Sequence, residues 1–458
     1  MDERSAMLKQ VYWVGIRESE ILELRDRFAG SVTIFGSGRD TNRAYDKACG
    51  VRYDYNQEIP GYTAFLKREL DEIVREHPEA LFLFYDSQDL YCDLPEMADR
   101  AIRNAKQELL EKLNDRWYVK EYLKGAVTLL PCEYVSGNGV IARCRDRVAA
   151  GQRFVVQGNH SCGGEETFLL DRGSQEKLAC RLKQDATYGI TPYRENSVSL
   201  NVHIVVFDDA VLTAPPSVQV IDREDGRFLY AGGDFAAAAF LADPVKRKIR
   251  ESAEAVGKKL RESGYRGVCG IDVLVAEETV YFMEINARFQ SSTFLLNRAL
   301  KEGGYQTIQE LQIGACFHRP CPQGLQAVWD RLPVRYSFYQ YAERKEKHDL
   351  LSLLYSRAGT CPEVAAVLDD DRNGIRTLQE GAYLYRIVFG TNITDIGPAG
   401  TVRIHPAVDL KIEAPEIEYT EEALIRLKVL LFNHGIVIEE EAERFLSGHG
   451  GIKFEEFN

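Results

Sequence analysis

Long apolar runs are missing from this chain of 458 residues. No stretch approaches the roughly 20 residues that a membrane-spanning helix needs. The first ten residues, MDERSAMLKQ, hold no apolar core of the kind a signal peptide carries. A cytoplasmic chain with no membrane partner is expected. Blocks of lysine and arginine are absent too, and 57 basic against 70 acidic residues leave a net charge of −13. That balance argues against nucleic acid or an anionic membrane as the main partner. The ten cysteines contain no CxxC pair. Cys316 and Cys321 are the closest two, and no second pair nearby completes a metal site, so they read as reduced thiols. No Ser-His-Asp or Cys-His signature, GxGxxG fingerprint, internal repeat or low-complexity tract is found.

What is present is enough length for two to four domains with substantial cores. Residues 1–112 alternate short apolar runs with helical spacing. VYWVGI (11–16), SVTIFGS (31–37) and ALFLFYD (80–86) read as strands, and ESEILELRDRF and FLKRELDEIVREH (65–77) read as helices. This βαβ rhythm implies a small, mostly parallel open sheet covered by helices. Gly36-Ser37-Gly38 reads as a strand-to-loop turn. In such sheets ligands collect beyond the carboxyl ends of the strands. Ser37, Arg39 and Asp40 lie past one end, and Asp86, Gln88 and Asp89 past another, as candidate acceptor-substrate contacts.

The chemistry concentrates at residues 267–298, GVCGIDVLVAEETVYFMEINARFQSSTFLLNR. CGIDVLVA and VYFMEINA flank a polar Glu277-Glu278-Thr279 turn, which predicts a β-hairpin. Glu284 and Asn286 are two apart and share a face of their strand. Asp272 comes opposite them if the register pairs the two segments. Three converging oxygen ligands suit Mg²⁺, which completes its octahedron with phosphates and water. Taken alone, the two carboxylates also fit ordinary solvent-facing strand positions.

Upstream, residues 104–131 read as two helices broken at Asn114-Asp115, with Asp115 as the second helix's N-cap. In RFVVQGNHSCGGEETFLL (153–170) a strand enters a loop holding Gly158, Gly163 and Gly164, and a second strand leaves it. Glycines let successive N–H groups turn inward and cradle phosphate. His160 and Cys162 sit in that loop and read as packing. Residues 187–209 give a strand, a polar bend at 191–195 and a long strand on which Asn201 and His203 share a face. His203 is open between a ligand contact and a satisfied strand histidine. Gln219 and Asp234 lie in the Pro-Pro and Gly-Gly segments of 213–235 as further acceptor-site candidates. Residues 244–265 are an amphipathic helix entered through Asp243 and Pro244.

Together these motifs resemble the ATP-grasp superfamily, which includes biotin carboxylase, D-alanine ligase and many peptide ligases. The resemblance covers roughly residues 80–310. In that family an acid on the first hairpin strand and a Glu-x-Asn pair on the second, usually followed by an arginine, hold two magnesium ions against ATP. Here the pattern falls on Asp272, Glu284, Asn286 and Arg288. The resemblance implies ATP and Mg²⁺ (with Mn²⁺ able to substitute), and a catalytic Arg288 that stabilises the transferring phosphoryl group. The glycine loop becomes the lid over ATP. The polar bend becomes the adenine hinge, with Thr191, Tyr193 and Arg194, and with Glu195 and His203 as further nucleotide contacts. Two positions depart from the family. Arg116 stands where a lysine usually reaches the phosphates, and keeps the charge. Gln157 stands where another lysine is common, and brings none.

The expected fold is α/β and multi-domain. An N-terminal open parallel-sheet domain spans 1–112. An ATP-grasp domain follows over 113–330, with a lid subdomain at about 113–192 and a metal-site subdomain at about 193–330. A C-terminal α+β cap or interface domain, with a charged helix after residue 331 and helices in 421–450, closes the chain. The implied function is an ATP-dependent carboxylate–amine ligase that makes an amide or peptide bond through an acyl phosphate, on amino-acid-like substrates. A phosphotransferase, a carboxylase-type enzyme (without a visible biotin-attachment segment) and a silent nucleotide binder are the alternatives. The partners expected are a small carboxylate and a small amine, and a homodimer is compatible with them.

Overall fold

The computed structural model describes residues 7–36, 40–49, 60–86, 95–160, 163–224, 226–342, 364–368, 383–396 and 402–404. Near the N-terminus β1 (Val11–Gly15), β2 (Gly30–Thr33), β3 (Asn42–Ala44) and β4 (Leu81–Phe84) form a sheet in the order β3-β2-β1-β4. Every pairing in it is parallel. VYWVG and LFLF are the near-continuous apolar runs that a covered parallel sheet requires. The helix Pro60–Glu76 provides cover, burying Phe65, Leu66, Leu70 and Ile73 against Val14, Val32 and Phe82.

The helix expected after β1 is not there. Residues 18–21 form one 3₁₀ turn, Glu18–Ile21, and looser turns follow. Tertiary bonds explain the difference. Gln309 Nε2 donates to the Glu20 carbonyl at 3.1 Å, an acceptor that an α-helix would need for itself. The Glu20 carboxylate folds back onto the N–H groups of Ile16 and Arg17 at 3.2 and 3.3 Å.

A second sheet carries the rest. Its strands are β5 (Glu133–Ser136), β6 (Phe154–Gly158), β7 (Thr167–Leu170), β8 (Thr187–Pro192), β9 (Ser197–Val206), β10 (Val211–Thr213), β11 (Ser217–Glu224), β12 (Arg227–Asp234), β13 (Gly267–Ala276) and β14 (Thr279–Asn286). They run in the order β14-β13-β9-β11-β12-β7-β6-β8-β5, with β10 on β9. The helix Asp243–Glu262 lies on the β9 side, burying Val245, Ile249, Ala253, Val256 and Leu260. It is capped by Ala242, one residue before the expected Asp243. Gly257 lets that helix come close, since a Cβ there would stand 2.5 Å from Val211.

Beyond residue 331, β15 (Ser337–Ala342), β16 (Val364–Leu368) and β17 (Tyr383–Phe389) extend the same sheet, with β15 paired to β12. A short pair, β18 (Thr394–Ile396) with β19 (Val402–Ile404), stands apart. Within the stretch expected to include the charged helix, SFYQYA is β15. The part of that stretch after β15 and the helices expected at 421–450 lie outside the described residues.

Candidate active site

The hairpin of β13 and β14 turns on Glu277 and Glu278, both with positive φ (49° and 60°). That is the pattern of a two-residue type I′ turn, which matches strand twist. Its register alone would set Met283 opposite Asp272. A bulge between Asp272 and Val273 shifts the pairing, so that Asp272 faces Glu284 and Gly270 faces Asn286. Bulges re-aim side chains beside sites, and here one brings both carboxylates to the same face.

The two carboxylates sit in a dense polar shell. Asn286 Nδ2 donates to Asp272 Oδ2 at 3.2 Å, and Asn201 Nδ2 on β9 donates to Oδ1 at 2.6 Å. Arg116, the first residue of the helix Arg116–Tyr122, reaches Glu284 Oε2 with Nε at 2.8 Å and Nη2 at 2.7 Å. Its Nη1 donates to the Gly158 carbonyl at 2.7 Å, tying the lid strand to the hairpin. Asp115 caps that helix as expected, accepting from the Tyr118 N–H at 2.8 Å. Arg288 Nη2 donates to Asn286 Oδ1 at 3.1 Å, and its Nε lies 3.6 Å from Asp86 at the carboxyl end of β4. Asp86 is thus brought to the site, while Asp40 lies in an exposed turn. Ser37, Arg39, Gln88, Asp89 and Cys162 fall outside the described residues.

Electrostatics make this pair unequal. Burial and then the negative charge of Glu284 push the Asp272 carboxyl up. Burial acts the same way on Glu284, but the charge of Arg116 and the hydrogen bonds to it win, and its carboxyl is held low. Two facing carboxylates, one destabilised by the other, form an oxygen-only donor set suited to a hard divalent cation. Among the described residues no three His, Cys, Asp or Glu side chains converge on one point. The remaining ligands would come from Asn286, phosphate and water.

The lid glycines pack on β12. Gly164 has φ +86°, and a Cβ there would stand 1.9 Å from the Phe228 carbonyl. Tyr230 N–H donates to the Gly163 carbonyl at 3.1 Å. Gly158 N–H donates to the Glu166 carbonyl at 2.9 Å, and half-buried Gln157 pairs with Thr167 and Gly189 across β6. His160 is exposed, 4.0 Å from Asp115.

At the bend, Thr191 is buried in β8 opposite Val155, and Tyr193 N–H donates to the Arg153 carbonyl at 2.9 Å. The Tyr193 ring stacks on Phe228, the Arg194 guanidinium lies 5.8 Å from the Tyr281 ring, and Glu195 pairs with Arg153. His203 departs from its expected nucleotide role. Its ring is fully buried with Nε2 3.0 Å from Thr293 Oγ1, and burial pushes its pKa down to about 3. A neutral, enclosed imidazole has no surface left to offer a nucleotide.

Asp234 is also a correction. It is buried and accepts four hydrogen bonds, from the N–H groups of Ala237, Ile393 and Thr394 and from Thr394 Oγ1. It anchors the chain there and meets no acceptor. Gln219, by contrast, does come to the site, with a hydrogen bond to Asp272. From the sequence alone Asn201 has a face but no role, because its partner Asp272 lies far away along the chain.

A glycine loop and an acidic hairpin, tied together by one arginine, thus lie in one large antiparallel sheet. Residues 113–292 match the model of the ATP-grasp domain family. That segment is therefore identified as an ATP-grasp domain. No curated protein matches it. Among solved structures it is similar to carboxyaminoimidazole ribonucleotide synthase from Aspergillus clavatus complexed with ATP. There the identity is 15% and the TM-score 0.58, over 93% of this chain and 100% of that one. It is also similar to biotin carboxylase from Campylobacter jejuni, at 14% identity and TM-score 0.54, over 84% and 88% of the two chains. For the L-amino acid ligase from Bacillus licheniformis the values are 12% and 0.53, over 83% and 93%. At these identities the likeness establishes the fold.

Proposed function

We propose that this protein is an ATP-dependent carboxylate–amine ligase that forms an amide or peptide bond, with ADP released, on small amino-acid-like substrates. The observation that carries the reading is the bulged register that sets Asp272 against Glu284 with Arg116 and Arg288 at either side. Phosphoryl transfer asks for positioning and charge neutralisation rather than a protein nucleophile, and none is visible in the sequence.

Asp272, Glu284 and Asn286 would hold Mg²⁺, two ions in the family pattern, with Mn²⁺ able to replace them. Bound there, the metal supplies charge neutralisation at the phosphates. Arg288 then stabilises the oxygen charge that grows on the transferring group and on the acyl phosphate. Arg116 binds phosphate, the role of the family's lysine. The lid keeps water from the acyl phosphate until the amine attacks its carbonyl carbon. Asp86 and Tyr85 both lie against Arg288, which supports an acceptor site beyond β4. A cytoplasmic location and a homodimer complete the proposal.

A silent nucleotide binder is the second reading, favoured by Gln157 where a lysine is common and by Arg116 seated on Glu284. ADP release separates the two. The protein is incubated with Mg²⁺ and ATP against pools of amino acids and small carboxylic acids, and product masses are read in parallel. ADP together with a product of the summed substrate masses less one water supports the ligase. ATP binding without ADP release from any pool overturns it.

A further inference from the structure

Asn201 has no part in the pattern that marks the cation hairpin, yet it stands directly across β13 from it. The register pairs Asn201 with Asp272, and Asp272 with Glu284, so the three side chains form one row across β9, β13 and β14. Residues placed this way share a face and interact. Asn201 Nδ2 lies 2.6 Å from Asp272 Oδ1 and 3.3 Å from Gln290 Oε1. These two acceptors set the amide's orientation, because turned over it would put its oxygen against a carboxylate. Its Oδ1 is left buried, with no donor among the described residues. Asn201 as a whole is 5% exposed. An unpaired buried acceptor costs stability, and a donor that arrives with a ligand removes the cost. Water held by a divalent cation is such a donor, since magnesium keeps several of its waters and outer-shell groups orient the ligands around a metal.

We infer that Asn201 is a fourth residue of the cation site, holding Asp272 in its ligating orientation through Nδ2 and accepting a hydrogen bond from a cation-bound water at Oδ1. It is a positioning residue, and the inference rests on the nucleotide-and-cation reading proposed above. The probe is Mn²⁺ on the full chain with ADP, with free Mn²⁺ counted by electron paramagnetic resonance and melting followed with and without the metal.

Asn201→Leu, similar in volume but without polar atoms, binds Mn²⁺ in the ADP complex roughly 10–100-fold more weakly. Its ADP affinity in EDTA does not fall. Asn201→Asp sets a like charge against Asp272, melts earlier without metal, and gains more from Mn²⁺ than the wild type gains. Wild-type Mn²⁺ affinity in Asn201→Leu overturns the inference, and so does an Asn201→Asp protein that gains no more than wild type. If Asn201→Leu does not fold, the Asn201→Asp comparison decides alone. A wild-type protein that binds no Mn²⁺ with ADP overturns the cation reading itself, which separates that failure from this one.

Discussion

Arg116 places two nitrogens on one oxygen of Glu284, at 2.8 and 2.7 Å, while its third reaches the lid at Gly158. The same guanidinium therefore neutralises Glu284 and ties the glycine loop to the hairpin. Arg116→Gln removes the charge and this grip. The ADP dissociation constant is expected to rise roughly ten- to a hundred-fold, the range of a lost charged hydrogen bond. Deuterium uptake across residues 158–166 rises with it. Titration calorimetry and exchange mass spectrometry check the two, and an unchanged affinity removes Arg116 from the nucleotide site.

Glu284→Gln keeps the shape of the side chain and removes its charge. ATP turnover should fall by at least about 10²-fold, the scale on which a single electrostatic stabiliser acts, with the fold intact by circular dichroism. Turnover at the wild-type rate would sink the metal assignment.

Gly164→Ala and Gly163→Ala test the lid. Both positions have positive φ, 86° and 61°, but a methyl group at Gly164 would collide with the Phe228 carbonyl, whereas one at Gly163 would meet open space. Gly164→Ala is expected to be the more destabilising, by roughly 1–3 kcal/mol, and to raise the KM for ATP more. Chemical denaturation of the two variants decides the order, and equal losses would contradict the packing of the lid on β12.

His203 ties stability to pH. Its pKa is about 3 in the folded chain against an ordinary value of 6.5, because burial disfavours the charged ring. Above pH 6.5 neither state is protonated and the stability is fully present. As pH falls from 6.5 towards 3 the unfolded chain takes up a proton that the folded one refuses, and stability is lost. The loss is on the order of 4 kcal/mol across the window. Urea midpoints at about pH 7 and about pH 4 measure it, and His203→Asn should narrow their difference. An equal difference in both proteins would refute the assignment.

Asp234→Asn should act on stability alone. The amide presents a donor to the N–H groups of Ile393 and Thr394, which now share one carboxylate oxygen. A loss of roughly 2–4 kcal/mol is expected, with kcat for ADP release within about two-fold. A large fall in kcat at unchanged melting temperature would restore Asp234 to the acceptor site.

Local patterning carried much of this structure. VYWVG, LFLF, the long β9 and the two hairpin strands were legible from apolar runs, and the break at Asn114-Asp115 from its cap. Illegible features depended on partners distant in the chain. The segment 18–28 has helical spacing, but Gln309 takes the carbonyl that a helix needed. The like-faced pair of Glu284 and Asn286 followed from alternation. Their alignment with Asp272 did not, since it requires a bulge that no residue type announces. The contact of Arg116 with Glu284 was not legible either, because 168 positions separate the two. Asn201 had a face but no neighbour until β9 was laid beside β13.

One strand is a common beam under two loads. The first residues of β12 carry the lid, through Phe228, Tyr230 and a single register pair, Arg227 with Phe168. Its last three, Gly232, Gly233 and Asp234, carry β15. A seam one pair wide resists bending less than the ladders on either side of it. Whatever tilt reaches β12 is then passed along its length to the strands after residue 331.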